Sequence, residues 1–295
     1  MMDIKSYLNS YKGIFEVSPT AETRNLAAKY GYLDYMIERY IRIFNEVQEV
    51  NEFLEGCEVP LIKSIRCNEL KTSCNELEKR LRMKGYELER LEWLSYGYKV
   101  LKSPKKPTLG ATMEYLQGFY HIQGIASMIP AHVLSPSPSD KVLDMAAAPG
   151  SKTSQLAQIM KNNGVILAVE KNRERIKSLL SNLNRLGVTN TVLLRADSRN
   201  LENMKIEFDK ILLDAPCSGE GLIPIDKTRK TKTSIQKLYN FSMLQLLLIK
   251  VAYKLLREKG VLVYSTCSIG PEEDELVVNY AVEELGMKVE KVERV

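Results

Sequence analysis

The stretch Lys141-Val-Leu-Asp-Met-Ala-Ala-Ala-Pro-Gly-Ser-Lys-Thr153 decides how the chain is read. A short apolar run ends in an acidic residue, passes through small residues and a Pro-Gly step, and enters a helical stretch expected over 152–161. Similar short runs follow at Val165–Glu170, Thr191–Arg195, Asp209–Asp214 and Val261–Ser265, with helical patterns at 172–186 and 235–258 between them. Continuous apolar strands alternating with helices predict a parallel sheet covered on both faces, an α/β architecture. Ligands of such sheets bind beyond the carboxyl ends of the strands. The chemistry is therefore sought there.

After the first strand, Ala146, Ala147, Ala148, Pro149, Gly150, Ser151 and Lys152 let a ligand approach the backbone, and the helix behind them offers unpaired N–H groups. The pattern is neither G-x-G-x-x-G nor a P-loop. Glu170 closes the second strand, where an acidic side chain can bind ribose hydroxyls. Asp197 follows the third strand and Asp214 ends the fourth. Each carboxylate alone also reads as a helix cap. Their repetition at successive strand ends suits a ligand with a ribose, an adenine amino group and a cationic centre, and S-adenosylmethionine has all three.

Two cysteines occupy the next strand ends, Cys217 in Asp214-Ala-Pro-Cys-Ser-Gly-Glu-Gly221 and Cys267 in Tyr264-Ser-Thr-Cys-Ser268. A loop thiol beside a basic group or helix terminus is a candidate nucleophile. Cys57, Cys67 and Cys74 read as small buried side chains. The chain has 5 cysteines, none in a C-x-x-C pair, and only 2 histidines, His121 and His132, both read as structural. No metal site is expected, and a disulfide framework or a Ser-His-Asp hydrolase is disfavoured.

Further out, 295 residues correspond to about two domains. The longest apolar run, Val165–Val169, is far short of a membrane span, and the first residues lack a signal peptide's apolar region. A cytoplasmic globular protein without a membrane partner is expected. Residues 1–59 read as a helical segment carrying 6 Lys/Arg against 10 Asp/Glu. Residues 60–106 read as a small basic α+β module, 12 against 6, with strands at Ser64–Cys67 and Tyr86–Trp93, a helix from Thr72 to Leu81, and a Pro- and Lys-rich hinge from Lys102. Residues 107–295 form the expected Rossmann-like domain. A second basic cluster, Lys227, Arg229, Lys230, Lys232 and Lys237, lies within 226–237. Two basic zones suggest a polyanionic partner, or else solvated helix faces.

The strings DMAAAPGSKT, DAPCSGEG and YSTCS resemble the motifs D-x-C-A-A-P-G-G-K-T, D-A-P-C-S-G-x-G and Y-S-T-C-S of RNA (cytosine-5) methyltransferases of the Nop/Sun type, nearest to compact archaeal tRNA enzymes. Leu61–Trp93 resembles that family's small RNA-recognition-like domain, and Tyr120–Met128 the segment before its first strand. The resemblance implies a Rossmann-like methyltransferase fold and S-adenosylmethionine-dependent methylation of cytosine carbon 5 in RNA, with tRNA preferred, by a monomer. It implies that Ala146 to Lys152 hold the methionine end of the cofactor, Glu170 the ribose and Asp197 the adenine side. Asp214 would lie between cofactor and base, where it would position or protonate the base. Cys267 would be the nucleophile, adding to cytosine carbon 6, and Cys217 would assist product release. Ala146 stands where the family usually has Cys, and Ser151 where it has a second Gly. The family also continues with a closing strand pair, so a truncated carboxyl end is expected. The competing readings are an rRNA substrate, DNA methylation with Cys217 as nucleophile (although the E-N-V motif is missing), and a non-catalytic RNA-binding or assembly factor.

Overall fold

A computed structural model describes residues 2–292. Its helices and strands run, in chain order, α1 (Ile4–Ser10), α2 (Ala21–Tyr30), α3 (Asp34–Phe44), α4 (Val47–Glu58), β1 (Ser64–Cys67), α5 (Cys74–Met83), β2 (Glu87–Leu91) and β3 (Leu94–Lys102). They continue with α6 (Met113–Leu116), β4 (Tyr120–Ile122), α7 (Ile125–Leu134), β5 (Lys141–Asp144), α8 (Ser151–Ile159), β6 (Val165–Val169) and α9 (Arg173–Leu186). The remainder are β7 (Thr191–Leu194), β8 (Phe208–Asp214), α10 (Arg229–Lys232), α11 (Ile235–Leu255), β9 (Leu256–Ser265) and α12 (Glu275–Glu283). The chain divides into two compact units.

The larger unit is built mainly from Ile62–Asp214 and Val251–Tyr264. Its main sheet has the order β7-β6-β5-β8-β9, with β5–β6, β6–β7 and β5–β8 parallel. From β5 the chain steps to β6 on one side, and β8 returns on the other. The loops leaving β5 and β8 therefore diverge, and a crevice opens at their carboxyl ends. Val142, Leu143, Ile166, Ala168, Ile211 and Leu212 are buried, as two-sided strands require. Two glycines serve this geometry. Gly150 turns the chain into α8 at φ +101°, where a Cβ would lie 2.9 Å from Leu179 Cδ1. Gly187 ends α9 at φ 74°, opposite the Asn172 cap at its start.

The same unit carries a second, wholly antiparallel sheet of order β2-β3-β1-β4. Leu77 and Leu81 of α5 pack on Ile65, Cys67 and Tyr98. This sheet differs from the expected module. Tyr86–Trp93 is one arm of a hairpin whose turn, Glu92-Trp93, lacks the usual Gly, Asn or Pro, which hides the return strand β3. The fourth strand, β4, comes from beyond the hinge, so the sheet does not stop at residue 106.

The smaller unit comprises the chain up to Leu61, Ala215–Lys250 and Ser265–Val289. Met36, Ile37, Tyr40, Val50 and Leu54 of α3 and α4 enclose Ile223 from the later segment, so the amino-terminal helices share a core with residues remote in sequence. This cuts across a separate 1–59 segment. The basic cluster is tied down here: Lys230 bonds Tyr30 O at 2.7 Å and Glu58 at 2.6 Å, Lys227 bonds Cys57 O and pairs with Glu58, and Arg229 donates to Ser218 O at 3.0 Å. Helix α11 ends at Leu255 and β9 starts at once, before the expected Val261, because its charged opening Arg257-Glu-Lys259 breaks the apolar pattern. Residues 293–295, within the stretch on which the expected truncation rests, lie outside the described residues. Among the described residues no helix is long and apolar enough to cross a membrane.

Candidate active site

In the larger unit the loop after β5 and the end of β8 line one cavity, formed by Ser127, Asp144, Ala146, Ala147, Ala148, Pro149, Ser151, Lys152 and Asp214. Side chains of one carbon leave that space open. Lys152 Nζ lies 2.7 Å from Asp214 Oδ2. Asp144 sits beneath, wholly buried, accepting from Thr153 Oγ1 at 2.7 Å and from the Ala146 N–H at 3.4 Å. Burial pushes its carboxyl up to about 6, against the Thr153 hydrogen bond and with help from the Asp214 charge.

The first turn of α8 is held from behind. Arg66 of β1, fully buried, donates to Ser151 O at 3.0 Å and to Ser154 Oγ at 2.7 Å. His121 of β4 lies 2.8 Å from Ser151 Oγ and 3.0 Å from Arg185 Nη2. The sequence pattern pointed to none of these three.

Glu170 is buried at the end of β6, where it accepts from the Asn172 N–H at 2.8 Å and pairs with Arg175 at 3.5 Å. Asp197 caps the turn after β7 and is engaged by Arg199 at 2.6 Å and Lys171 at 3.6 Å. The Arg199 hydrogen bonds hold its carboxyl down to about 2. Asp197 is thus a capping carboxylate, and Glu170 likewise bonds its own loop.

In the smaller unit the two thiols meet. Cys217 and Cys267 have their Sγ atoms 2.7 Å apart and are not joined in a disulfide. The Cys267 N–H donates to Cys217 Sγ at 3.2 Å. The thiol hydrogen bond with Cys267, then burial, then the charge Cys267 can carry all push the Cys217 thiol up. The segment Glu272-Glu273-Asp274 braces both loops. Glu273, wholly buried, accepts from the Ser218 N–H at 2.9 Å, Ser268 Oγ at 2.6 Å and Gln245 Nε2 at 3.0 Å. Asp274 accepts from Thr266 Oγ1 at 2.7 Å, and burial raises its carboxyl to about 6. Arg39 of α3 closes the arrangement with Glu272 at 2.6 Å and Glu220 at 3.0 Å, all three buried. Burial pulls the guanidinium down, but the two carboxylates hold it charged. No motif string includes Arg39, Gln245, Glu272, Glu273 or Asp274. Only the buried structure brings them together.

The loops carrying the thiols leave neighbouring strands. The chain passes out of the sheet unit after Asp214 and again after Tyr264, and each cysteine lies three residues beyond. Residues 131–293 match the family described as 16S rRNA methyltransferase RsmB/F, and residues 34–124 match the N-terminal domain of 16S rRNA methyltransferase RsmF. The chain belongs to the RsmB/F (Nop/Sun) family. Within that family it is 41% identical over 257 residues to the tRNA (cytosine(49)-C(5))-methyltransferase of Pyrococcus abyssi, covering 87% of this chain and 81% of that one. It is 42% identical to the 28S rRNA (cytosine-C(5))-methyltransferase of Mus musculus, covering 90% of this chain but 34% of the relative. The chain spans about a third to a half of the length of several such rRNA relatives. The RsmB/F fold is also seen in NSun6 from Pyrococcus horikoshii with SFG, at TM-score 0.80 and 28% identity, covering 87% of this chain and 88% of that one.

Proposed function

We propose that the chain methylates carbon 5 of cytosine in RNA, with tRNA preferred, using S-adenosylmethionine. The observation that carries this reading is the pair of thiols 2.7 Å apart on loops that leave neighbouring strands. The names of the relatives support the reaction class. The tRNA preference rests on the P. abyssi relative, of which this chain covers 81%. An rRNA substrate is the second reading, favoured by the M. musculus relative.

The residues present fit the cofactor. Alanine side chains leave room, the first turn of α8 offers N–H groups to an anion, and Asp144, Asp214 and Lys152 supply both signs of charge to the cavity. Ala146 to Lys152 would hold the amino-acid end, the buried Glu170 the ribose, and Asp197 the adenine side. When bound, the cofactor supplies an electrophilic sulfonium methyl group.

The protein's own part is to make cytosine carbon 5 nucleophilic. The Cys267 thiolate adds to carbon 6 and the ring's electrons shift toward carbon 5, which is covalent catalysis. Asp214 positions the base and shares the ring-nitrogen proton that favours addition. After methylation the carbon 5 proton must leave, and the carbon 6–sulfur bond must break. While Cys267 is unreacted, its sulfur helps keep Cys217 protonated. Loss of the carbon 5 proton to a base lets its electron pair restore the carbon 5–carbon 6 double bond as the carbon 6–sulfur bond breaks and Cys267 leaves as a thiolate, and Cys217, 2.7 Å away, is placed to assist that release. A stacked base is out of reach, so the target is single-stranded or flipped out. Lys63, Lys79, Lys105 and Lys106, exposed in or beside the small sheet, are available to phosphates.

The test is transfer of labelled methyl groups to unmodified tRNA and rRNA transcripts. Label at cytosine carbon 5 of tRNA, lost in Cys267→Ala, is expected. Label in rRNA alone would overturn the substrate preference. Bound cofactor with no label in any RNA would overturn the reaction.

A further inference from the structure

Ser151 stands where the resembled motif has glycine, and its hydroxyl is the end of a short relay. Arg185 Nη2 lies 3.0 Å from His121 Nδ1. A guanidinium only donates, so Nδ1 is the acceptor, and the ring proton is assigned to Nε2 from these partners. His121 Nε2–H then donates to Ser151 Oγ at 2.8 Å. That contact fills a lone pair on Oγ and leaves the hydroxyl's own proton for another acceptor. Among the described residues none lies in range, and Ser151 lines the cavity beside Ala146–Pro149.

The surroundings favour an anion as that acceptor. Arg66 and Arg185 have no carboxylate within 4 Å among the described residues, and Arg66 bonds the first turn of α8 directly. Helix N–H groups and two uncompensated guanidinium groups make this end of the cavity positive. Burial, reinforced by both arginines, pushes His121 down to about 3, so its donor pattern does not change near neutral pH.

We propose that the Ser151 hydroxyl donates to the amino-acid carboxylate of S-adenosylmethionine, and that His121, held by Arg185, is the positioning residue that aims it. This rests on the cofactor reading above. Isothermal titration of the full chain with S-adenosylmethionine and with 5′-methylthioadenosine, which lacks the amino-acid end, tests it. Ser151→Gly and His121→Phe are each expected to weaken S-adenosylmethionine about tenfold and to leave 5′-methylthioadenosine unchanged. The double variant should be no weaker than either single one. His121→Gln, whose amide can accept from Arg185 and donate to Ser151, should restore the affinity. Undiminished S-adenosylmethionine affinity in Ser151→Gly, or equal losses for both ligands, would overturn the proposal. Wild-type chain that binds neither ligand would instead overturn the cofactor reading.

Discussion

The cavity after β5 and the thiol loops are both built from motif strings, yet they are held in opposite ways. The cavity is made by leaving things out: three alanines, a glycine at φ +101° and one partly exposed Lys152–Asp214 pair. The thiol loops are pinned by buried charge, with Glu220 and Glu272 enclosed around a single guanidinium and Glu273 holding both loops through Ser218 and Ser268. A ligand site needs room and backbone donors, and small residues supply both. A pair of sulfurs held 2.7 Å apart needs loops that do not drift, and directional bonds to buried carboxylates restrain them better than apolar contacts.

Removing the guanidinium is the hardest test of that contrast. Arg39→Met leaves Glu220 and Glu272 buried without a counter-charge and should cost about 3–5 kcal/mol in urea unfolding. A loss below about 1 kcal/mol would mean that the acids do not depend on Arg39. The second largest effect belongs to Asp144, beneath the cavity. Unfolded, it ionises near 3.8, but folded it holds its proton to about 6. Its stabilising contribution is therefore full below 3.8 and lost as pH rises through 6, by about 3 kcal/mol at most. Asp144→Asn should gain on wild type as pH goes from 4 to 7. A constant difference would contradict the burial argument. His121 has the opposite sign, losing stability as pH falls from 6.5 toward 3, so the two groups offset each other in wild type.

The smallest effect sharpens the cavity side. Gly150→Ala forces φ +101° on a residue with a Cβ and brings that atom to 2.9 Å from Leu179. About 1–2 kcal/mol of stability should be lost, with a larger drop in S-adenosylmethionine affinity than Arg39→Met causes. If both variants weaken binding equally, the two regions are not separately held.

What the sequence made legible follows the same division. The five sheet strands, α8 and α9 could be read because each is a continuous apolar or amphipathic run, and the cavity residues because they are contiguous. The hairpin strand β3 could not, since Glu92-Trp93 carries no turn signal. The brace around the thiols was hidden for a different reason. Arg39, Gln245 and Glu272 come from distant segments, and as isolated charges or amides on a helix or loop each reads as surface. Asp197 and Glu170 were legible as positions, but their bonds to Arg199 and the Asn172 N–H arise from local loop geometry that a residue type does not announce.

The central claim is the division of labour between the two sulfurs. The most direct measurement incubates wild type, Cys267→Ala and Cys217→Ala with S-adenosylmethionine and unmodified tRNA, followed by a denaturing gel. A protein–RNA band that accumulates with Cys217→Ala and is missing with Cys267→Ala is the predicted result. A band that persists in Cys267→Ala and disappears in Cys217→Ala would contradict it and make Cys217 the nucleophile.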